Sequence, residues 1–114
     1  MHRFTDFQGV PNSNAPHQKI AFSDAAQTLP AILGAPLDAK TKFVVISIET
    51  NDVRFTPEGK TTPTNSTAGT PSVGVLGSAG DHPILLSRAE ADVALWINAV
   101  NAANAVGQVT QYLD

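Results

Sequence analysis

One segment, Lys42 to Gly59, limits the possible folds more than any other part of the chain; it reads KFVVISIETNDVRFTPEG. Its first half holds the longest continuous apolar run, Phe43 to Ile46, and Ile48 follows shortly after. These side chains are β-branched or aromatic, which suits a buried, pleated surface. A second β-prone run, Val53 to Thr56, follows a polar interruption. The segment therefore predicts two β-strands.

The dipeptide Asn51-Asp52 between the two runs predicts a two-residue hairpin loop, because both residue types tolerate left-handed backbone conformations. In that register Ile48 lies beside Phe55 on the buried face. Glu49 then lies beside Arg54 on the opposite face, where the two charges pair. A slip of one residue spoils both arrangements, so a single register is predicted.

Length and composition are those of a small globular domain. A chain of 114 residues is one domain by the usual prior, and an apolar content of 42% argues against a disordered chain. The formal net charge of -3, with 15% charged residues, is too acidic and too sparse for a nucleic-acid-binding surface. The sequence contains no cysteine, which excludes disulfides and thiolate metal sites.

The sequence shows no signal for a membrane or for secretion. No stretch approaches the roughly 20 apolar residues that a membrane-spanning helix requires. The first residues, MHRFTDFQG, lack the apolar run of a secretory signal. We therefore expect a protein that is made in the cytoplasm and kept or assembled there.

Residues 1–18 are predicted to form an extended N-terminal arm in front of one domain, residues 19–114. Gly, Pro, Asn and Ser are frequent in the arm, and no period of two or 3.6 is visible. The arm nevertheless contains Phe4 and Phe7, two of the five phenylalanines. Exposed aromatic surface is costly in water. The arm is thus a frayed end, a tail packed on its own domain, or a segment whose two rings dock on a neighbouring subunit.

The stretch from Ser87 to Val106 carries two conflicting patterns. Ser87 and Glu90 match a helix capping box, and apolar residues then recur at helical spacing. By propensity alone the stretch predicts one helix. Three asparagines disfavour that helix, and Val93, Leu95 and Ile97 alternate as in a strand. Elsewhere short strands are predicted at Lys19–Ser23, Thr28–Leu33, Ser72–Leu76, Ile84–Ser87 and Gln108–Leu113.

Few residues suggest chemistry. Asp81 beside His82 is a possible catalytic pair, but adjacent residues seldom face a common substrate, so a solvated turn is favoured. The three histidines lack the spacing of a metal motif. Asn65-Ser66-Thr67 matches a glycosylation acceptor, a triplet that also arises by chance. Trp96 is either a platform for a ligand or a core residue, and the second role is the more common one for a single tryptophan. We therefore expect no enzyme activity, cofactor or metal.

Several motifs occur in an order that resembles a group of small proteins encoded among the virion-structural genes of tailed bacteriophages. Those proteins carry a pattern like IRYTLDGTTPT and a glycine, a short apolar strand, an Arg-Ala-Glu-like turn and a terminal LxVxYL strand. Here Pro57-Glu58 replaces the usual Leu-Asp, and the loop at 65–80 is longer. The matching segments are FSDAAQTL at 22–29, VRFT at 53–56, EGKTTPT at 58–64, ILL at 84–86, ALWI at 94–97 and VTQYL at 109–113.

The resemblance implies an all-β fold, a small antiparallel jelly-roll-like β-sandwich, and favours a strand at Ala94–Val100. It implies a virion structural protein, a capsid cement or decoration protein or another component near the head or tail. Its partners would be copies of itself and the major capsid or other virion proteins, without nucleic acid or membrane. The alternative is a carbohydrate-binding or adhesion module of a tail fibre. Trp96, Tyr112 and the long loop are the features that would support binding in that case. A third hypothesis, a small hydrolase, rests on Asp81 and His82.

Overall fold

A computed structural model describes residues 10–11, 17–66 and 72–113. This part of the chain forms eight strands and two short helices. The strands are β1 (Gln18–Phe22), β2 (Gln27–Thr28), β3 (Phe43–Thr50), β4 (Val53–Thr56), β5 (Val75–Gly77), β6 (Ile84–Ser87), β7 (Leu95–Asn98) and β8 (Ala105–Tyr112). The helices are α1 (Leu29–Leu33) and α2 (Arg88–Val93).

The strands form two antiparallel sheets, sheet A in the order β1-β8-β3-β6 and sheet B in the order β2-β7-β4-β5. The pairs β1·β8, β2·β7, β3·β6 and β4·β5 make the chain one long hairpin whose second half returns along its first. Pairing of β8 with β3 and of β7 with β4 folds this hairpin over into two sheets. This is the strand order of an eight-stranded jelly roll. The predicted all-β, jelly-roll-like sandwich is confirmed.

The core lies between the sheets, where alternate residues of each strand point inward. On β3 the inward side chains are Val44, Ile46 and Ile48, and on the neighbouring strand β8 Val109 points inward beside Ile46. Helices α1 and α2 close the sandwich, each with one fully buried core residue, Leu29 and Ala91.

The predicted hairpin between β3 and β4 is wrong, because the two strands belong to different sheets. Ile48 and Phe55 are both core residues, as expected, but they come from opposite layers of the sandwich. The predicted pair of Glu49 with Arg54 is also wrong. Glu49 is exposed at a register shift in β3, and the Arg54 guanidinium donates to the carbonyl of Gly74 at 3.1 Å.

The connection between β3 and β4 is an arch that carries the chain from one sheet to the other. Asn51 has φ of 60°, the left-handed conformation that the sequence suggested, and its side-chain amide donates to the Asn104 carbonyl at 2.9 Å. The Asp52 carboxylate accepts from the amide of Ala79 at 2.8 Å, and its carbonyl accepts from the amide of Ala99 at 2.8 Å. These contacts attach the arch to two other connections that cross between the sheets, the one from β5 to β6 and the one from β7 to β8.

The segment predicted as a strand at Thr28–Leu33 is instead helix α1. Thr28 is its N-cap and accepts a hydrogen bond from the Ala31 amide, and Pro30 lies in the first turn. Proline suits that position, because its fixed φ matches the helix and its missing N–H has no partner to lose there. Gly34, with φ of 77°, ends the helix.

The ambiguous stretch after Ser87 contains both a helix and a strand. The predicted capping box is present: the Ser87 hydroxyl accepts from the Glu90 amide, and the Glu90 carboxylate accepts from the Ser87 amide. The helix ends at Val93, so the propensity-based prediction of one long helix is wrong. Strand β7 follows and pairs with β2 and β4, which confirms the strand that the resemblance favoured.

Part of the predicted arm runs along the domain's own sheet A. Strand β1 begins at Gln18, and the His17 Nδ1 lies 2.6 Å from the Thr110 hydroxyl in a hydrogen bond. Farther upstream, Pro11 bridges to Tyr112, and the Leu113 amide donates to the Val10 carbonyl at 2.8 Å. Both contacts lie beside β8.

Candidate functional site

The proposed catalytic residues form a turn on the surface. Asp81 and His82 are both exposed, and the Asp81 carboxylate accepts from the His82 backbone amide at 2.8 Å. This is a local turn contact of the kind that Asp makes readily. Across residues 10–11, 17–66 and 72–113, no three acidic or histidine side chains lie close enough together to hold a metal ion.

Membrane crossing by a helix finds no support in the same residues. Neither α1 nor α2 is long enough, and no other described segment forms a long apolar helix.

Trp96 lies in the centre of the core. Its side chain is 1% exposed, it stacks on Phe55 with ring centroids 4.5 Å apart, and Phe22 packs against it at 5.5 Å. The interpretation of Trp96 as a core residue is confirmed. A sugar platform needs an exposed ring, so Trp96 does not provide one in this conformation.

A polar cluster around Asp24 joins three connections at one end of the sandwich. One Asp24 carboxylate oxygen accepts from the Asn98 side chain at 2.7 Å, from the Ala102 amide at 2.8 Å and from Asn65 Nδ2 at 3.3 Å. Asn65 Nδ2 also donates to Asn98 Oδ1 at 2.9 Å, and Asn98 is fully buried. The amide of the possible glycosylation triplet is thus hydrogen-bonded within the protein.

The pKa of Asp24 lies below its ordinary range, first because Asn98 donates to the carboxylate and second because the Ala102 amide does so. Partial desolvation opposes this effect. A carboxylate that is held in its charged form by three donors is a weak base. The cluster is therefore suited to holding loops together rather than to acid–base chemistry.

This cluster predicts a stability difference that depends on pH. The folded state lowers the pKa of Asp24, so the stability from its charge is complete above the unfolded value, about pH 4. That stability is lost as the pH falls through the folded value. We expect Asp24→Asn to lower the thermal midpoint at pH 7. The difference in thermal midpoint between the variant and the native protein should become smaller as the pH falls below about 4. Thermal unfolding of both proteins at pH values from neutral to acid measures this difference, and a difference that stays constant would contradict the assigned role of the charge.

At the other end of the sandwich Arg88 binds backbone carbonyls. Its guanidinium donates to the carbonyls of Asp38 at 2.7 Å and Thr41 at 3.0 Å, and it pairs with Asp92 at 3.0 Å. The Gln111 side chain accepts from the Thr41 hydroxyl at 2.7 Å in the same region. The Arg-Ala-Glu turn thus has a structural explanation here: Arg88 fixes the loop before β3, and Glu90 caps α2.

Exposed apolar residues gather at one sheet edge. Val73, Val75 and Leu76 are all exposed, and they follow one another along and just before β5. Strand β5 is at the border of sheet B and pairs only with β4 among the described strands. We call these three residues the apolar edge. Such an edge offers both unpaired backbone groups and apolar surface to another chain.

The two site residues predicted from the sequence, Phe4 and Phe7, lie outside the described residues. Their predicted role as partner-binding anchors therefore stays a prediction.

Comparison with known proteins gives no match: no family model, no curated protein and no solved structure is significantly similar to this chain.

The sequence alone predicts a strand at the apolar edge but not its position at the border of a sheet. The Ser72–Leu76 segment was predicted as a strand, and β5 overlaps it. Its position at the border of a sheet depends on which strands pair, and that order is not visible in a local pattern. A short Val-rich strand beside a long Gly- and Pro-rich loop was the available signal.

Proposed function

We propose that this protein is a structural component of a tailed-bacteriophage particle, a capsid cement or decoration protein that stabilises the particle by binding neighbouring subunits. The observation that carries the proposal is a jelly roll that presents the apolar edge to solvent. Jelly rolls occur in viral capsid domains and in lectins. Since one fold serves many functions, the surface has to supply the rest of the argument.

The positions of the motifs support the proposal. Four of the six segments that resemble virion proteins coincide with β4, most of β6, most of β7 and the second half of β8. The Arg-Ala-Glu turn lies at the start of α2, where its charged side chains make structural contacts. The resemblance thus concerns residues that build the sandwich, as expected for a protein that acts through its shape and surface.

The proposed partners are copies of this chain and the major capsid or other virion proteins. The apolar edge is the proposed contact surface, because strand addition to an open sheet border combines backbone hydrogen bonds with burial of side chains. The proposed location is the virion, with assembly in the host cytoplasm. The proposal involves no catalysis, cofactor, nucleic acid or membrane.

A carbohydrate-binding or adhesion module of a tail fibre is the second candidate. Phe43 and Tyr112 favour it, since their rings stack on sheet A with centroids 5.2 Å apart and an interplanar angle of 3°. Trp96 does not contribute to such a site because it is buried. The loss of this aromatic anchor makes the tail-fibre hypothesis the weaker of the two.

Particle binding tests the first proposal. We expect the purified chain to sediment with capsids of the phage that encodes it, assembled without this gene. Leu76→Lys should abolish this binding while leaving the thermal midpoint nearly unchanged, because substitutions at exposed positions usually alter stability by about 0.5 kcal/mol or less. The new charge interrupts the apolar edge and discourages strand pairing.

Val93→Lys is the matched control, because Val93 and Leu76 are each 46% exposed and Val93 lies on α2 rather than on β5. This variant should bind as the native chain does. Failure of the native chain to sediment with capsids would contradict the proposed function. Normal binding by Leu76→Lys would place the contact surface elsewhere.

A further inference from the structure

The apolar edge is the least protected of the four borders that the described strands leave on the two sheets. Among the other three, β1 carries the exposed charge of Lys19, β2 is two residues long and runs into helix α1, and β6 directly follows Pro83 and exposes none of its apolar side chains. Charges and prolines are common means by which proteins prevent strand addition at a border. The segment at 72–80, which contains β5, has neither.

A hydrogen bond at the start of β4 shows which way the backbone groups of this strand point. In an antiparallel strand, successive residues direct their N–H and C=O groups to one neighbouring strand and then to the other. The Asp52 carbonyl accepts from the Ala99 amide, so its backbone groups are directed to the β7 side. Val53 and Phe55 alternate with Asp52 and therefore direct their backbone groups to β5.

On β5 the same alternation directs the backbone groups of Leu76 outward. Gly77 and Val75 are the residues that lie opposite Val53 and Phe55, so they form the hydrogen-bonded pairs with β4. Leu76 lies between them and directs both its amide and its carbonyl toward the open border. The apolar edge thus presents one N–H and one C=O beside the exposed side chain of Leu76.

We propose that a second copy of this chain pairs with the apolar edge, β5 against β5 and antiparallel, with a twofold axis at Leu76. Antiparallel pairing of identical strands is compatible with a twofold axis, which is the most common symmetry of homo-oligomers. In this register the two Leu76 residues exchange both of their backbone hydrogen bonds. Val75 of each copy then lies opposite Gly77 of the other copy.

This register makes the two edges complementary in shape and charge. Val75 is 53% exposed and Gly77 has no side chain, so a large residue lies against a small one on each side of the axis. The two Leu76 side chains lie together on the outer face of sheet B, because Leu76 opposes Arg54 rather than a core residue. A charged partner would find no opposite charge along 72–80, whereas a second copy brings the same neutral, apolar segment.

The contact is small, because three exposed side chains on each copy bury far less than the roughly 800 Å² per partner of a stable interface. We therefore expect the pairing to be weak in dilute solution and to increase with protein concentration. Its biological setting rests on the proposed function, in which copies bound side by side on a capsid have a high effective concentration. The pairing itself can be measured on the isolated chain.

Disulfide formation tests the register, since the native sequence contains no cysteine. Leu76→Cys places two thiols across the twofold axis with Cα atoms about 5.5 Å apart, which a disulfide can bridge. Val75→Cys is the matched control: Val75 is the more exposed residue, but its two copies are diagonal neighbours about 7–8 Å apart, too far for a disulfide. Under mild oxidation we expect Leu76→Cys to form dimers at least about tenfold faster than Val75→Cys or Val93→Cys.

A second pair of variants tests whether strand pairing brings the thiols together. Val75→Lys added to Leu76→Cys should slow dimer formation at least about tenfold, because the charge lies within the paired strands. Val93→Lys in the same background should leave the rate unchanged, and the emission of buried Trp96 shows that each variant is folded. Equal rates for the three cysteine variants, or an unchanged rate with Val75→Lys, would overturn the proposal.

Sedimentation of the native chain with capsids separates this inference from the proposed function. Preferential cross-linking of Leu76→Cys without capsid binding by the native chain would support the pairing and contradict the function. Capsid binding that Leu76→Lys abolishes, without preferential cross-linking of Leu76→Cys, would overturn the pairing and identify a capsid protein as the occupant of the apolar edge.

Discussion

Ile46→Asp is expected to yield no folded protein. Ile46 is 0% exposed at the centre of β3, paired with Ile84 on β6 and Val109 on β8. All three are core-facing or packed against the core, so the new carboxylate has no charge partner and no access to water. Burying an unpaired charge costs more than the roughly 5–15 kcal/mol that stabilises a typical domain. Circular dichroism should show loss of β-structure, and Trp96 emission should shift to that of an exposed indole.

Ser47→Asp is the matched control, because it places the same charge one position along the same strand. Ser47 lies on the outer face of sheet A opposite Gln108, which is exposed. We expect a folded protein with a cooperative urea transition and a much smaller loss of stability. If the two variants unfold at similar urea concentrations, Ile46 and Ser47 do not point to opposite faces of sheet A.

The sequence located most strands correctly, because alternation of apolar and polar residues is a local property. Ile84–Ser87 was predicted with the bounds that β6 has, and Lys19–Ser23 overlaps β1 almost completely. The terminal strand was also predicted, although β8 begins three residues before the predicted Gln108. Each of these segments needs only its own residues to be recognised as a strand.

Strand partners were harder to predict, as Asn51-Asp52 shows. A tight hairpin and an arch between sheets both need two β-prone runs and a short link with a left-handed residue. In this fold β3 pairs with β8, whose residues lie about half the chain away. The return half of the long hairpin thus supplies the partner that the local pattern assigned to β4. Choosing between the two arrangements requires the whole strand order.

The strand predicted at Thr28–Leu33 is a second error. Within a strand, Pro30 requires an edge or a bend, where its missing N–H costs little. The neighbouring Thr28 and Gly34 are a typical N-cap and C-cap, and together they favour a short helix. The structure therefore agrees with the capping residues rather than with the strand propensity of the segment.

The polar clusters at the two ends of the sandwich depend on contacts far apart in sequence. Asp24 meets Asn98 and Ala102 only because β1 and β7 end at the same side of the sandwich. Arg88 similarly meets the carbonyls that precede β3. By contrast, the Ser87–Glu90 capping box lies within four consecutive residues and was predicted correctly.

Gly59→Ala is expected to destabilise the protein strongly, because two effects combine at this position. Gly59 has φ of 68°, a left-handed conformation that costs an L-residue about 1–2 kcal/mol. A Cβ atom there would also lie 2.2 Å from the Val93 carbonyl oxygen and 2.8 Å from its carbon. Backbone atoms cannot rotate away as a side chain does, so the turn after β4 would have to separate from the end of α2. Urea titration should therefore show a large fall in the unfolding midpoint.

Gly80→Ala separates the steric effect from the backbone effect. Gly80 has φ of 77°, close to that of Gly59, but a Cβ atom there has no neighbour within 4 Å. Each glycine also donates its amide to a backbone carbonyl, Gly59 to Thr56 at 3.1 Å and Gly80 to Ile48 at 2.9 Å. We expect Gly80→Ala to lose only about 1–2 kcal/mol, the cost of the left-handed conformation. The difference in stability between the two variants then measures how tightly the turn at Gly59 packs against α2. Equal unfolding midpoints would mean that the turn and α2 can move apart without a loss of stability.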